Sequence, residues 1–272
     1  MAKQDALNIY LTDEVKDKLA ETYGEVIEAV QKGAISEQIK NKNYSGDATT
    51  GTVVINRFAN AVIEDLGTAR SGQKGKELKN NGQVTINVDT DKEIVEELAR
   101  KDVKLYGLDG MAEKRKTNHI KRMIAYLDSE FFACAEKEGT QVTPSKTNIQ
   151  EKLEELILSV ETTVNDWVDG VDRDMIVLSV TPSVYAELEN YIDSVPNSIT
   201  GLTDELFHKV RIFSNHRQTK SAIAMIDGAV AQLVTTDEYD AEKVPFGNAI
   251  ALELFFSKGT KAVMPDLIKY IA

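Results

Sequence analysis

Apolar residues recur at three- and four-residue steps through residues 109–139. Ile120, Met123, Ile124, Leu127, Phe131 and Cys134 fall on one face, the spacing of a single buried helical stripe. Asp109 is the expected cap at its start, and Gly139 the expected left-handed residue past its end. Some 28 residues at about 1.5 Å each make a rod on the order of 40 Å, long for a globular helix. The expected core of this rod is Ile120, Met123, Ile124, Leu127 and Phe131. Its charges are segregated: Lys114, Arg115, Lys116, Lys121 and Arg122 come first, then Asp128, Glu130, Glu136 and Glu138. That order opposes the helix dipole. The basic half reads either as a solvated face or as one that meets a partner.

Ahead of the rod the pattern is sparser. Thr12 caps an acidic first turn, and Val15, Leu19, Tyr23, Val26, Ile27 and Val30 continue a helix that ends near Gly33. Residues 41–51 are polar and without rhythm. Two strand-like runs follow, 52–56 and 83–88, the second with Val84, Ile86 and Val88 on one face. The segment between them holds Gly67, Gly72, Gly75 and Gly82, with Arg70, Lys74, Lys76 and Lys79 against Glu77. This predicts a projecting hairpin with a basic, glycine-rich end. A hairpin of that length cannot bury its apolar residues on itself and needs another surface to lie on. In an acidic chain, a second copy offers one. A solvated loop is the plainer alternative. Residues 93–100 read as an acidic helical segment.

Beyond Gly139, Thr147 and Gln150 have the spacing of a capping box. They open a helix striped by Ile149, Leu153, Leu156, Ile157, Val160, Val164 and Trp167, ended by Asp169-Gly170. Residues 175–180 read as a central strand. Thr181-Pro182 starts another helix, with Val184, Tyr185, Leu188 and Ile192 inward. A loop is expected over 195–203. Strands are expected at 210–213, 222–226 and 229–234, the last two joined by a tight hairpin turn at Asp227-Gly228. Ile250, Leu252, Leu254 and Phe256 alternate along a further strand, followed by 262–264 and 267–271. The fold class is α+β.

The 272 residues suffice for one large domain or two small ones. A hydrophobic content of 42% with 28% charged residues is ordinary for a soluble protein. No run approaches the ~20 apolar residues of a membrane span, and the first residues lack the apolar core of a signal peptide. One cysteine, Cys134, permits no intrachain disulfide and reads as a structural thiol, which implies intracellular synthesis. A net charge of −12 argues against a dedicated nucleic-acid binder, though not against a chain that lives beside DNA without gripping it.

Little chemistry is on offer. The three histidines, His119, His208 and His216, are too scattered for a zinc site. No G-x-S-x-G elbow is present. The Gly72–Lys76 stretch lacks the spacer and hydroxyl of a phosphate loop, and Asp89/Asp91 and Asp172/Asp174 lack the ligand ladder of a calcium loop. No catalytic, cofactor or metal residues are assigned, and the chain reads as a structural or binding protein.

The order of elements is similar to that of the Hong Kong 97-type major capsid proteins of tailed bacteriophages, over nearly the whole chain. NIQEKLEELILSV followed by MIVLSVTPSVYAELEN resembles that family's axial-domain helix, central strand and proline-started helix. HKVRIFSN with SAIAMIDGAVAQLVT resembles its next strand and hairpin, and ALELFFSKGTKAVMPDLIKYIA its closing strands. Order and spacing carry the resemblance; none of these segments is an invariant signature.

The resemblance implies an N-terminal arm (1–40), an extended hairpin loop (41–91), a peripheral domain (92–140 and 236–264) with a spine helix over 110–138, and an axial domain (141–235 and 265–272). It implies pentamers and hexamers closing into an icosahedral shell around packaged double-stranded DNA bound without sequence specificity. A virion location and assembly in the bacterial host cytoplasm go with this, and a siphophage is the implied source. Arg70, Lys74, Lys76 and Lys79 become candidate inter-subunit contacts, basic tip against acidic body. A short arm implies a separate scaffolding protein, and a portal protein is a further implied partner. Some relatives cross-link a hairpin Lys to an Asn; Lys74, Lys76 or Lys79 with Asn248 would be the pair. That chemistry needs a buried Glu in register, which the sequence does not identify, so no cross-link is expected. Two other readings stand beside this one: an encapsulin-like nanocompartment shell, and a metabolic or regulatory α+β protein with an unrecognised site.

Overall fold

A computed structural model describes residues 25–45, 51–61, 63, 65, 82–99, 101, 108–194, 207–243 and 249–272. Thr12, the basic segment with Arg70, Lys74, Lys76 and Lys79, the 195–203 loop and Asn248 lie outside the described residues. In chain order the elements are α1 (residues 25–33), α2 (Ile35–Ile39), β1 (Thr52–Ile55), β2 (Val84–Asn87), β3 (Thr90–Ala99), α3 (Leu108–Glu138), β4 (Thr140–Gln141), α4 (Ile149–Glu161), β5 (Ile176–Val180), α5 (Pro182–Ser194), β6 (Arg211–Ser214), β7 (Ala222–Ile226), β8 (Val230–Lys243), β9 (Ala249–Ala262) and β10 (Ile268–Ile271). Short 3-10 turns at Arg173–Met175 and Pro265–Leu267 lead into β5 and β10. The chain divides into two compact units, one drawn from residues 1–38, 87–130 and 232–259, the other from 39–86, 131–231 and 260–272.

In the first unit a three-stranded sheet has the order β3-β9-β8. β3 runs antiparallel to β9 from Thr90 opposite Lys258 to Ala99 opposite Ala249. This corrects the helix expected over 93–100. Glu, Leu and Ala are good helix formers, but ten residues of ladder against β9 override so weak a preference. The strand's alternation then turns Glu96 towards α3 and leaves Glu97 exposed. Val26, Val30, Met123, Leu127 and Phe256 are buried together, with Ile27, Ile120, Ile124, Tyr126 and Val234 packed around them. At ~1.5–3 kcal/mol per buried side chain, this cluster is the main apolar support of the unit. Two buried polar contacts fix its register. Ser36 N donates to Asp128 Oδ1 at 2.9 Å, and Gln232 Nε2 donates to Leu127 O at 2.9 Å.

In the second unit a mixed five-stranded sheet has the order β4-β10-β7-β5-β6. Every residue of β5 and β7 is buried, as suits its central strands. β5 and β6 are parallel, so they need a crossover, and α5 lies between them in sequence. α4 packs against β5, β7, β10 and α5 through Leu153, Leu156, Ile157 and Val160.

Five further local expectations are corrected here. Asn148, not Thr147, caps α4: its side chain accepts from Gln150 N at 2.8 Å. α4 also stops at Glu161, short of Asp169-Gly170. Thr162 and Thr163 turn their hydroxyls back onto Leu158 O (2.7 Å) and Ser159 O (2.9 Å), filling the last carbonyls. Asn165 Oδ1 then accepts from Trp167 N and Val168 N, closing a turn that leaves Val164 68% exposed. Asp227-Gly228 does not make a paired hairpin, because β7 already has β5 and β10 on its two sides while β8 pairs in the other sheet. Only Gly228 of the two has positive φ (83°), whereas the type I′ hairpin turn needs both. Gly139 is not left-handed. It follows α3 because a Cβ there would sit 2.7 Å from Ala135 O and 2.8 Å from Ile268 Cγ2, so the close approach of β10 demands glycine. Asp109 lies within the first turn of α3 rather than ahead of it.

Candidate assembly surface and its anchoring

β1 and β2 pair as a two-stranded sheet, at the two ends of the segment expected to form the hairpin. Four-residue strands are too short to be stable as an isolated ribbon. The second unit anchors them by burying Val53, Ile55 and Ile86 and, beyond β1, through polar contacts. Just beyond β1, the Arg57 guanidinium grips both oxygens of Asp266 at 2.6 and 2.7 Å, the fork geometry that carboxylates bind most strongly. The same guanidinium lies over the Trp167 ring, 4.9 Å from its centroid. Asn165 Nδ2 donates to Asp266 as well. Burial alone would raise the pKa of Asp266, but the hydrogen bonds from Arg57 and Asn165 and the charge of Arg57 outweigh it and hold the carboxyl below its usual value.

Both legs of the hairpin are tied. Asn60 N donates to Asp166 O at 2.9 Å, and Arg57 N to Gly82 O at 3.2 Å. With its amide oriented to satisfy both groups, Asn60 also donates to Trp167 O and accepts from Val168 N. Lys261 Nζ donates to Thr85 O at 3.0 Å. Gly82 is obligatory, since a Cβ there would lie 2.7 Å from Arg57 Cβ and 2.9 Å from Arg57 O. Large apolar side chains remain uncovered nearby in sequence: Phe58 at 48% and Ile63 at 97% exposed, besides Val164 on the anchoring turn.

On α3, Met123, Leu127 and Phe131 are buried, while Ile120 and Ile124 are partly buried against the first unit's cluster. The basic half of the helix is not uniform. Arg115 forms a two-pronged ion pair with Glu96, and Lys116 meets Glu25 at 2.6 Å, whereas Lys121 and Arg122 are exposed. His119, one turn on from Arg115, is fully buried with Nε2 3.0 Å from Glu96. Burial first, and the Arg115 charge second, push its pKa down to about 4. Sequence reasoning missed this triad because Glu96 was read as part of a helix. The available signal was the four-residue spacing of Arg115 and His119, which sets both on one face. A buried cation, Lys258, pairs with Glu130 and lies 5.0 Å from the Tyr126 ring centroid.

Among the described residues, no group of three or more His, Cys, Asp or Glu is arranged to hold a metal ion. Cys134 is a half-buried thiol outside any disulfide, and His208 and His216 are exposed. No helix among the described residues is long and apolar enough to cross a membrane.

No family model and no curated protein matches the sequence. Solved structures do. A chain of Mycobacterium phage Che8 has a TM-score of 0.65 at 15% identity, covering 88% of this chain and 90% of that one. A chain of the capsid of cyanophage P-SCSP1u gives 0.61 at 12%, covering 88% of each. A virus-like particle from Pyrococcus furiosus gives 0.58 at 14%, covering 95% of this chain and 100% of that one. The chain therefore has the α+β fold of the Hong Kong 97-type capsid proteins.

Proposed function

We propose that this chain is the major capsid protein of a tailed bacteriophage, a structural protein without catalytic activity. The observation that carries the reading is likeness of fold over most of both chains to phage capsid structures. In this reading copies associate as pentamers and hexamers and close into an icosahedral shell around double-stranded DNA. The shell is the virion capsid, assembled in the host cytoplasm with a separate scaffolding protein and a portal protein. The arm is 1–40, the extended loop 41–91, the peripheral domain 92–140 with 236–264, and the axial domain 141–235 with 265–272. Arg70, Lys74, Lys76 and Lys79 contact an acidic surface of a neighbouring copy. The exposed Phe58, Ile63 and Val164 agree with a chain that is completed by association. A net charge of −12 suits a wall that must not bind packaged DNA tightly.

A second reading is favoured by one observation. The virus-like particle from Pyrococcus furiosus matches across its full length, so an encapsulin-like compartment enclosing protein instead of DNA fits the same fold. Negative-stain electron microscopy of the purified protein, alone and co-expressed with the genes beside its own, tests both. The expected result is closed shells tens of nanometres across, against a radius of ~2–3 nm for one folded chain. Nuclease-protected DNA inside them supports the phage capsid, and an enclosed enzyme supports the compartment. A uniform monomer or dimer under every condition overturns both.

A further inference from the structure

The contacts at the foot of the hairpin are unusually complete for a connection between two short strands. Arg57 sits at the point where the chain leaves β1, and Gly82 where it returns to β2. Between these points the described body offers one acceptor surface, built from the turn after α4 and the 3-10 turn before β10. Asp266 contributes a carboxylate that takes both prongs of Arg57 and the amide of Asn165. Trp167 supplies a flat face under the guanidinium. Asp166 O holds Asn60 N three residues further out. The Arg57 side chain is only 12% exposed, so its pairing is shielded far better than that of a surface ion pair. A planar fork gripping a carboxylate while lying on an indole fixes orientation as well as position, which a lysine would not.

We propose that Arg57, Asp266, Asn165 and Trp167 form a clamp that sets the direction in which the hairpin leaves the body, and that this set direction is a condition of shell closure. The second clause rests on the capsid reading above; the first does not. The physical logic is preorganisation. A hairpin that leaves its subunit in one direction presents its contacts to a neighbour without an ordering cost, whereas a hairpin swinging on a loose foot meets that cost at every interface. In a closed shell the cost recurs at every subunit, so a small loosening per copy is multiplied. The four residues are positioning residues: in this scheme they touch no partner and act through the hairpin alone.

The test uses the full-length chain and two variants, Asp266→Asn, which removes the charge, and Arg57→Lys, which keeps the charge and loses the fork. Hydrogen exchange is read at the amides of Arg57 and Asn60, whose acceptors are Gly82 O and Asp166 O, and at the amides of β5 as an internal reference. Particles are counted and measured by electron microscopy. Loss of one charge-assisted contact predicts about tenfold faster exchange at the two root amides, with β5 unchanged. It also predicts open, irregular or size-scattered particles from subunits that still melt cooperatively. Unchanged root exchange overturns the clamp. Exchange that rises equally in β5 overturns it too, because the residues would then stabilise the whole unit, and so would failure of both variants to fold. A loosened root with normal, uniform shells overturns the link to closure. If the unsubstituted chain forms no particles, the capsid reading fails and the closure clause falls with it, while the exchange data still decide the clamp.

Discussion

His119 gives the sharpest test of the first unit. It is fully buried, its Nε2 lies 3.0 Å from Glu96 Oε2, and Arg115 already pairs with both oxygens of that carboxylate. A proton added to His119 would bring a second cation into a buried place where the adjacent Glu96 is already paired with Arg115. Desolvation and Arg115 therefore oppose the charged form, and the pKa falls from 6.5 to about 4. Because the folded value is depressed below the unfolded one, the unfolded chain binds more protons between them. The contribution of His119 is complete above pH 6.5, is lost as pH falls towards 4, and changes no further below that. At 1.36 kcal/mol per unit, the difference amounts to about 3 kcal/mol. For a chain of this size that is a fall in melting temperature on the order of 8 °C. The assay is urea unfolding of unassembled subunit at half-unit steps from pH 7.5 to 4, beside His119→Gln, whose amide cannot titrate. Subtracting the variant removes the carboxylates that titrate in the same range. The difference between the two curves should shrink by about 3 kcal/mol as pH falls. Parallel curves would refute the reasoning. A difference that grows towards acid would show that attraction to Glu96 wins over desolvation and Arg115.

Other expectations are simpler to state. Phe131→Ala removes a fully buried ring from α3 and should cost ~3–5 kcal/mol in denaturant unfolding; a loss under 1 kcal/mol would mean that the site closes up around the gap. Gly139→Ala brings a methyl against Ala135 O and Ile268 Cγ2 and should destabilise by ~1–3 kcal/mol, with β10 amides exchanging faster. The combined changes Arg70→Glu, Lys74→Glu, Lys76→Glu and Lys79→Glu should block shell closure without altering the melting temperature of the subunit; normal shells would remove charge from the account of assembly.

Legibility in the sequence followed the range of the forces involved. The long helix was plain because Met123, Leu127 and Phe131 repeat at the helical period and are buried on that face. β5 and β7 were plain because a strand buried on both faces is a short unbroken apolar run. β3 was not, since Glu93 to Ala99 contains residues that favour a helix locally, and only β9, about 160 residues away, makes it a strand. The end of α4 was hidden for a related reason. Val164 and Trp167 continue its apolar spacing, but the hydroxyls of Thr162 and Thr163 stop it, and Trp167 serves Arg57 instead. The two strands β1 and β2 were legible from their β-branched and alternating residues. Their anchorage was not, because Arg57, Asn165 and Asp266 are scattered singly along the chain, and neither period nor spacing connects them.

The anchorage bears on why such a hairpin persists in a single folded chain. β1 and β2 together offer too few ladder bonds to stand alone, and Phe58 and Ile63 beside them are left in water. Burial of Val53, Ile55 and Ile86 holds the two strands themselves, but beyond β1, where Phe58 and Ile63 are exposed, apolar burial cannot be what fixes the chain. The polar contacts can, because a partly buried, bidentate ion pair stacked on an indole does not need a neighbour to be complete. If the capsid reading holds, this divides the work beyond β1 by type of force: polar contacts within the chain set direction, and the apolar side chains of Phe58 and Ile63 are left for association. Replacing Phe58 and Ile63 by Ser separates the two contributions. It should leave root exchange and the subunit's melting temperature as they are and weaken association, read as a higher protein concentration at which particles first appear. A lower melting temperature with assembly unaffected would instead place those side chains in the subunit's own core.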